Sequence, residues 1–265
     1  MPLFAVFEIT LAREELASFP ARGYQRLPIM PTVHGVWTKY LVTAIALGAS
    51  SQFVSSKLAK YLLMYGSLVN GFICALFVSR VQIGAELFGK DPATGAIPLW
   101  SYVLWSGFHV PTHLYTWAHQ QICASHGVPV ATEVLPGWWI GGRYGHELNK
   151  TWAGVVDLTT EFAESCRGHT ASYKLIPVWD GTPPNPREIE EAAQFAVRAH
   201  ESGDVLVHCA HGRGRSTTVM VACLVRAGLF NTWEEAFEAC KKERPVVKLN
   251  SKMQSALANW AVKYN

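Results

Sequence analysis

The stretch from Val205 to Thr217 restricts the fold more than any other part of this 265-residue chain. A β-branched apolar run, Val205 to Val207, leads through His208 to Cys209. Five residues separate Cys209 from Arg215, and an apolar run from Thr217 to Ala227 follows. Gly212 and Gly214 let the connection turn tightly, so the order is strand, tight loop, helix. Such a loop turns successive amide hydrogens toward one point. The dipole of the following helix adds to the field there, and the result suits a phosphate dianion. Cys209 stands at the base of this cradle, where the same donors and Arg215 favour thiolate over thiol and make the sulfur a nucleophile at neutral pH. Arg215 offers a planar fork to two phosphate oxygens.

His208-Cys209, five residues and then Arg215-Ser216 resemble the signature of the cysteine-based protein tyrosine and dual-specificity phosphatases. The preceding valines, the two glycines and the Ser-Thr after Arg215 make this more specific than a bare Cys and Arg pair. The resemblance covers residues 130–265 and implies an α/β domain with a central, mostly parallel sheet flanked by helices. It implies that Cys209 forms a phosphocysteine and that Arg215 clamps the phosphate. The backbone of Ala210, His211, Gly212, Arg213, Gly214 and Arg215 would make the cradle. His208 would orient the loop from behind, and Ser216 would donate to the sulfur as it leaves. Asp180 lies 29 residues before Cys209, close to the family's separation for a general acid on a mobile loop, and Gly181 to Pro186 is rich in Gly and Pro. The chemistry needs a proton on the leaving oxygen and then a base for water, and one carboxyl can serve in turn. No metal or other cofactor is required, because the donors neutralise the phosphate themselves.

The rest of this half reads in the same sense. Val134 to Gly142, Trp152 to Leu158 and Tyr173 to Val178 read as strands, the second apolar on consecutive positions and so buried on both faces. Asn185-Pro186-Arg187-Glu188 joins an N-cap, a proline at the first helical position and a reciprocal Glu. Thr232 with Glu235 and Ser251 with Gln254 read as two further helix starts.

Residues 1–125 read as a membrane-anchoring helical region. Residues 61–79 carry no charge and match the length of a spanning helix. Residues 97–118 are a second candidate span, with Trp100, Trp105 and Trp117 placed as interfacial aromatics. Residues 40–56 are a possible third, shorter and more polar. With two spans, Arg13, Arg22, Arg26, Lys39, Lys57 and Lys60 share a side with the catalytic domain, in keeping with the positive-inside rule; this reading has 40–56 lying at the surface or packed on the other helices. His109, His113 and His119 lie in or beside the second span and read as polar contacts near the interface rather than metal ligands, since Pro111 interrupts the first pair.

The net charge of +3 divides unevenly. Residues 133–265 hold 15 basic and 15 acidic residues, and residues 1–132 hold 8 and 5. No basic face with interleaved aromatics suggests nucleic acid. Six dispersed cysteines without a C-x-x-C pair fit a reducing compartment rather than a disulfide framework or a zinc site. The expectation is an integral membrane phosphatase facing the cytosol, with the bilayer as one partner and a phosphoprotein or a phospholipid head group as substrate. His211 and Arg213 read as two potentially cationic side chains that favour a substrate with more than one phosphate or an acidic head group. A catalytically weak phospho-binding adaptor is the alternative.

Overall fold

The computed structural model describes residues 36–79 and 83–264. Arg13, Arg22 and Arg26, on which the side-of-membrane expectation partly rests, lie outside the described residues.

Among the described residues five helices precede the sheet: α1 (Val36–Ser50), α2 (Lys57–Val78), α3 (Gly84–Phe88), α4 (Leu99–Leu104) and α5 (Ser106–Ser125). α1 and α2 pack antiparallel. Ser67 Oγ donates to the Ala44 carbonyl at 2.7 Å, and the Tyr40 and Phe77 rings lie 5.3 Å apart. This hairpin puts Lys39 at one end and Lys57 and Lys60 at the other, so these three cations do not share a side as expected. Residues 40–56 are packed on α2 but are helical only to Ser50. Among the described residues α2 alone is long and apolar enough to cross a membrane, with a rise of roughly 33 Å over its 22 residues.

The expected span 97–118 is not one helix. It breaks at Trp105, whose backbone (φ −110°, ψ 24°) ends α4 and starts α5. The reason is tertiary. Tyr65 of α2 donates its hydroxyl to the Leu104 carbonyl, and Asn70 Nδ2 donates to the Gly107 carbonyl at 2.7 Å. Gly107 is the residue whose carbonyl the N–H of residue 111 would normally bond, and residue 111 is a proline without that N–H. Asn70 therefore fills the hole that Pro111 opens. A side chain on Gly107 would stand 3.0 Å from the Gly66 Cα, so the α4–α5 turn meets α2 near its middle.

The sheet contains β1 (Ala131–Leu135), β2 (Trp138–Gly141), β3 (Trp152–Thr159), β4 (Thr170–Val178) and β5 (Val205–His208), in the order β1-β2-β5-β3-β4. Only the β1–β2 pairing is antiparallel. Residues 134–142 are thus not one strand but part of a hairpin: Pro136-Gly137 makes the turn, with Gly137 at φ +75°, a position that favours glycine. β5 lies at the centre because Val205, Leu206 and Val207 are apolar on both faces and fully buried.

Four helices complete this half: α6 (Pro186–His200), α7 (Arg215–Arg226), α8 (Trp233–Glu243) and α9 (Ser251–Tyr264). Asn185 and Glu188 form the reciprocal cap of α6. Thr232 caps α8 by accepting from the Glu235 N–H at 3.2 Å. α9 is capped by Asn250, which accepts from the Met253 N–H at 2.9 Å, and not by Ser251. α7 is buried from Arg215 to Val225 and joins α6 and β5 in the main core.

Candidate active site

The connection from β5 to α7 forms the expected cradle, and the structure shows what turns its amides inward. The carbonyl of Ala210 accepts from the Arg143 N–H (3.3 Å), that of Gly212 from Arg244 Nε (2.9 Å), and that of Arg213 from the Lys248 N–H (2.9 Å) and Thr217 Oγ1 (2.8 Å). The Gly214 carbonyl accepts from Thr218 Oγ1 at 3.0 Å. In a trans peptide the C=O and the next N–H point in opposite directions. Four carbonyls held outside therefore leave the N–H groups of His211, Arg213, Gly214 and Arg215 facing in. Gly212 has φ +65°, and a Cβ there would lie 2.6 Å from the Gly141 carbonyl carbon. Arg244, itself buried, also bonds Pro129 O and Thr132 Oγ1 and so ties the cradle to the start of β1.

Cys209 is buried at the base with its Sγ 3.4 Å from Ser216 Oγ. Burial alone would raise its pKa. The Arg215 guanidinium, the Ser216 hydroxyl and the N–H groups of Ser216 and Arg213 outweigh burial and hold the thiol below its ordinary value.

Arg215 is 1% exposed. Glu161, just past β3, takes it bidentately, Oε1 at 2.8 Å from Nη2 and Oε2 at 3.2 Å from Nη1. Nη1 also donates to the carbonyls of Val178 (2.8 Å) and Leu158 (3.1 Å). Asp180 Oδ1 lies 3.3 Å from Nη2. Nε is buried without a hydrogen bond, so one donor of the fork is free for an incoming anion. Asp180 thus lies beside the Arg215 end of the cradle. Burial works against its charge, but Arg215 and Lys39 prevail and hold its carboxyl below the usual range.

His208 sits behind the cradle in a buried charge network that the sequence did not announce. Its Nε2 is 2.6 Å from Glu164 Oε2 and 3.8 Å from Asp157 Oδ1. Burial would lower its pKa, yet the two carboxylates raise it to about 9, so the ring is a cation. Asp157 Oδ2 also takes Lys90 Nζ at 2.6 Å and the Tyr173 hydroxyl at 2.9 Å. Lys90 precedes the sheet by some forty residues, and its ammonium bonds Thr159 O and Thr159 Oγ1 as well (2.7 and 3.0 Å). Asp157, Glu164 and His208 lie close enough to ligate a metal, but Lys90 and the His208 proton supply the positive charge among them.

The rim comes largely from the N-terminal helices. His119 of α5 packs against His211 with the rings tilted and their centroids 4.2 Å apart, and Tyr115 meets the same ring edge-on at 5.9 Å. Lys39 of α1 lies 3.8 Å from Asp180 Oδ2 and 4.6 Å above the Tyr115 ring. His211 is therefore not the expected cation: burial, the His119 ring, Lys39 and Arg215 push its pKa to about 3 against the pull of Asp180. The second rim cation beside Arg213 is Lys39. His109 and His113 make their hydrogen bonds locally, to Ser101 Oγ (3.4 Å) and the His109 carbonyl (2.8 Å), and pack their rings on Phe88 and Phe162 (both 4.9 Å). Sequence reasoning missed Glu161, Glu164, Asp157, Lys90 and Lys39. A signal existed for the first three, since carboxylates at the end of a buried strand need partners; none marked the two lysines.

Residues 146–263 match the family model described as the dual specificity phosphatase catalytic domain. Dual specificity protein phosphatase 5 of Rattus norvegicus is 36% identical over 132 residues, 47% of this chain and 33% of that protein. Dual specificity protein phosphatase 1 of Homo sapiens is 29% identical over 140 residues, 48% of this chain and 38% of that protein. The chain thus spans about a third of the length of these curated relatives. A crystal structure of human DUSP28 is 24% identical, covering 51% of this chain and 94% of that one with a TM-score of 0.42. The C-terminal half is thus similar in sequence to the catalytic domains of dual specificity phosphatases.

Proposed function

We propose that the chain is a membrane-anchored phosphatase that hydrolyses a phosphomonoester through a phosphocysteine. The observation that carries this reading is Cys209 held toward thiolate beneath inward amides, with Asp180 3.3 Å from the Arg215 guanidinium that lowers the thiol's pKa. In the first step the Cys209 thiolate attacks phosphorus and the bond to the alkoxy oxygen breaks. Asp180 protonates that oxygen as it leaves. Asp180 is ionised at rest. A bound phosphate draws Arg215 to itself and adds negative charge beside the carboxyl; both effects raise its proton affinity, so it takes up from solvent the proton it then delivers. In the second step the Asp180 carboxylate takes a proton from water as the water oxygen attacks phosphorus. The sulfur leaves as thiolate, with Ser216 Oγ placed to donate to it. The cationic His208 supports the thiolate electrostatically from behind the cradle.

The substrate we favour is a phospholipid head group. Among the described residues every exposed large apolar side chain except Val262 lies between Trp37 and Ile122. Leu58, Leu62 and Leu68 of α2, Leu99 and Val103 of α4, and Leu114 and Trp117 of α5 suit a lipid environment better than water. α5 also supplies the pocket rim, so a bilayer against these helices brings its head groups to the mouth. The thiolate requires a reducing compartment, which points the domain to the cytosol.

The test is turnover by the detergent-solubilised full chain on phosphoinositides, phosphatidylglycerophosphate and phosphopeptides. Activity confined to phosphopeptides would replace the lipid reading with a phosphoprotein one. Cys209→Ser should abolish turnover on every substrate, and an equally active variant refutes the mechanism. Release of the chain from membranes by alkaline carbonate refutes the anchor.

A further inference from the structure

The loop that bears Asp180 is packed on both sides, and the aromatic rings and the cation on one of those sides come from helices outside the catalytic domain. Trp179, immediately before Asp180, is 2% exposed. Its ring lies 5.0 Å from Phe77 of α2, 5.8 Å from Phe88 of α3 and 6.3 Å from Phe108 of α5. The approach is close enough that a side chain at Gly84 would meet Trp179 Cζ2 at 2.7 Å. Tyr40 of α1 packs on two of the same rings, Phe77 at 5.3 Å and Phe108 at 5.6 Å. Its neighbour Lys39 thereby faces Asp180 Oδ2 at 3.8 Å. On the other side of Asp180, Asn250 Nδ2 donates to the Gly181 carbonyl at 3.0 Å, and Thr182 donates both N–H and Oγ1 to the Trp179 carbonyl (3.1 and 2.7 Å).

The geometry points to a general-acid loop clamped permanently over the phosphate cradle by the N-terminal helices, with Lys39 of α1 as the positioning residue for Asp180. This rests on the phosphatase reading and gives the helices a role in chemistry besides anchoring. A mobile loop must close after substrate arrives; here the carboxyl already spans Arg215 and Lys39. The charged and titratable groups that face Asp180 are Arg215 of α7, His211 of the cradle, Lys39 of α1 and His119 of α5. Glu161 lies across Arg215 and Tyr40 behind. Losing Lys39 removes one of the two cations that orient the carboxylate and keep its proton affinity low.

The experiment compares p-nitrophenyl phosphate, whose leaving group departs with little help, and phenyl phosphate, which needs the acid. Full-length wild type, Lys39→Met and Lys39→Arg are assayed in detergent across pH. General acid catalysis is worth about 10²–10⁴-fold. Lys39→Met should lower kcat on phenyl phosphate at least about tenfold more than on p-nitrophenyl phosphate. It should also move the high-pH limb of the phenyl phosphate kcat profile, where Asp180 loses its proton, upward, and Lys39→Arg should restore both. Equal losses on the two substrates, a rise in KM alone, or an unmoved profile would overturn the proposal. Failure of the underlying phosphatase reading looks different: the wild type then turns over neither substrate, or Cys209→Ser turns over both.

Discussion

Replacing Lys90 by Met tests whether the segment before the sheet is part of the catalytic body. The Lys90 and Asp157 side chains are 0% exposed and meet at 2.6 Å. Met keeps the aliphatic stem and removes the ammonium. Three bonds disappear, to Asp157 Oδ2, Thr159 O and Thr159 Oγ1. Asp157 is not abandoned. The Thr159 N–H and hydroxyl remain on Oδ1 at 2.7 Å, Tyr173 remains on Oδ2 at 2.9 Å, and the His208 cation stays 3.8 Å away. Breaking a buried pair from one side costs about 3–5 kcal/mol, and the surviving donors argue for the lower end, about 3 kcal/mol. For a chain of this size that is roughly a 6–12 °C fall in melting temperature, readable by thermal unfolding of the detergent-solubilised protein. Adding Asp157→Asn to Lys90→Met should cost less than Asp157→Asn in wild type, because the carboxylate it removes is already short of its partner. A Lys90→Met protein that melts within about 2 °C of wild type, or strict additivity in the double variant, refutes the reasoning.

Other substitutions probe the cradle and its supports. Gly212→Ala forces a Cβ into positive φ and against the Gly141 backbone, at a cost of about 2–4 kcal/mol. kcat/KM on p-nitrophenyl phosphate should fall about 100-fold, and unchanged kinetics would show that the loop has slack. Glu161→Gln takes from Arg215 its bidentate carboxylate and leaves it the more distant Asp180, and kcat/KM should drop about tenfold or more with KM rising; wild-type kinetics would mean the fork is held by the carbonyls and Asp180 without Glu161. His208 has a folded pKa of about 9 against an ordinary 6.5. A raised folded pKa adds stability that is fully present below pH 6.5 and lost as pH rises through 9, on the order of 3 kcal/mol at most. Unfolding followed from pH 6 to 10 should show that decline, and His208→Gln should flatten it.

Much of the catalytic half was legible because its signals are local. Cys209, Arg215 and Ser216 lie within one turn-and-helix unit whose backbone is dictated by Gly212, Gly214 and the apolar residues around them. The caps at Asn185 and Thr232 depend on neighbours three residues away. The same locality explains the misses. Ser251 had the spacing of a cap, but Asn250, one residue earlier, has the side chain that reaches Met253. Pro136-Gly137 is a turn pair that a longer apolar reading passed over. The apolar run 97–118 has the composition of a span, and only Tyr65 and Asn70 of another helix make a break at Trp105 tolerable.

The amino-acid order by itself determined the strand, loop and helix around Cys209, the parallel sheet that carries them, and the presence of an apolar helical region ahead of them. Those features depend on periodicity, glycine and side-chain polarity, which act between near neighbours. Tertiary structure alone decided the company these residues keep. It brought Lys90 onto Asp157 across 67 positions and turned His211 into a neutral ring against His119. It also set Lys39 opposite Arg215 on the Asp180 carboxyl. Charge acts through space and burial, so its partners come from the packing of distant segments rather than from the order in which they are joined.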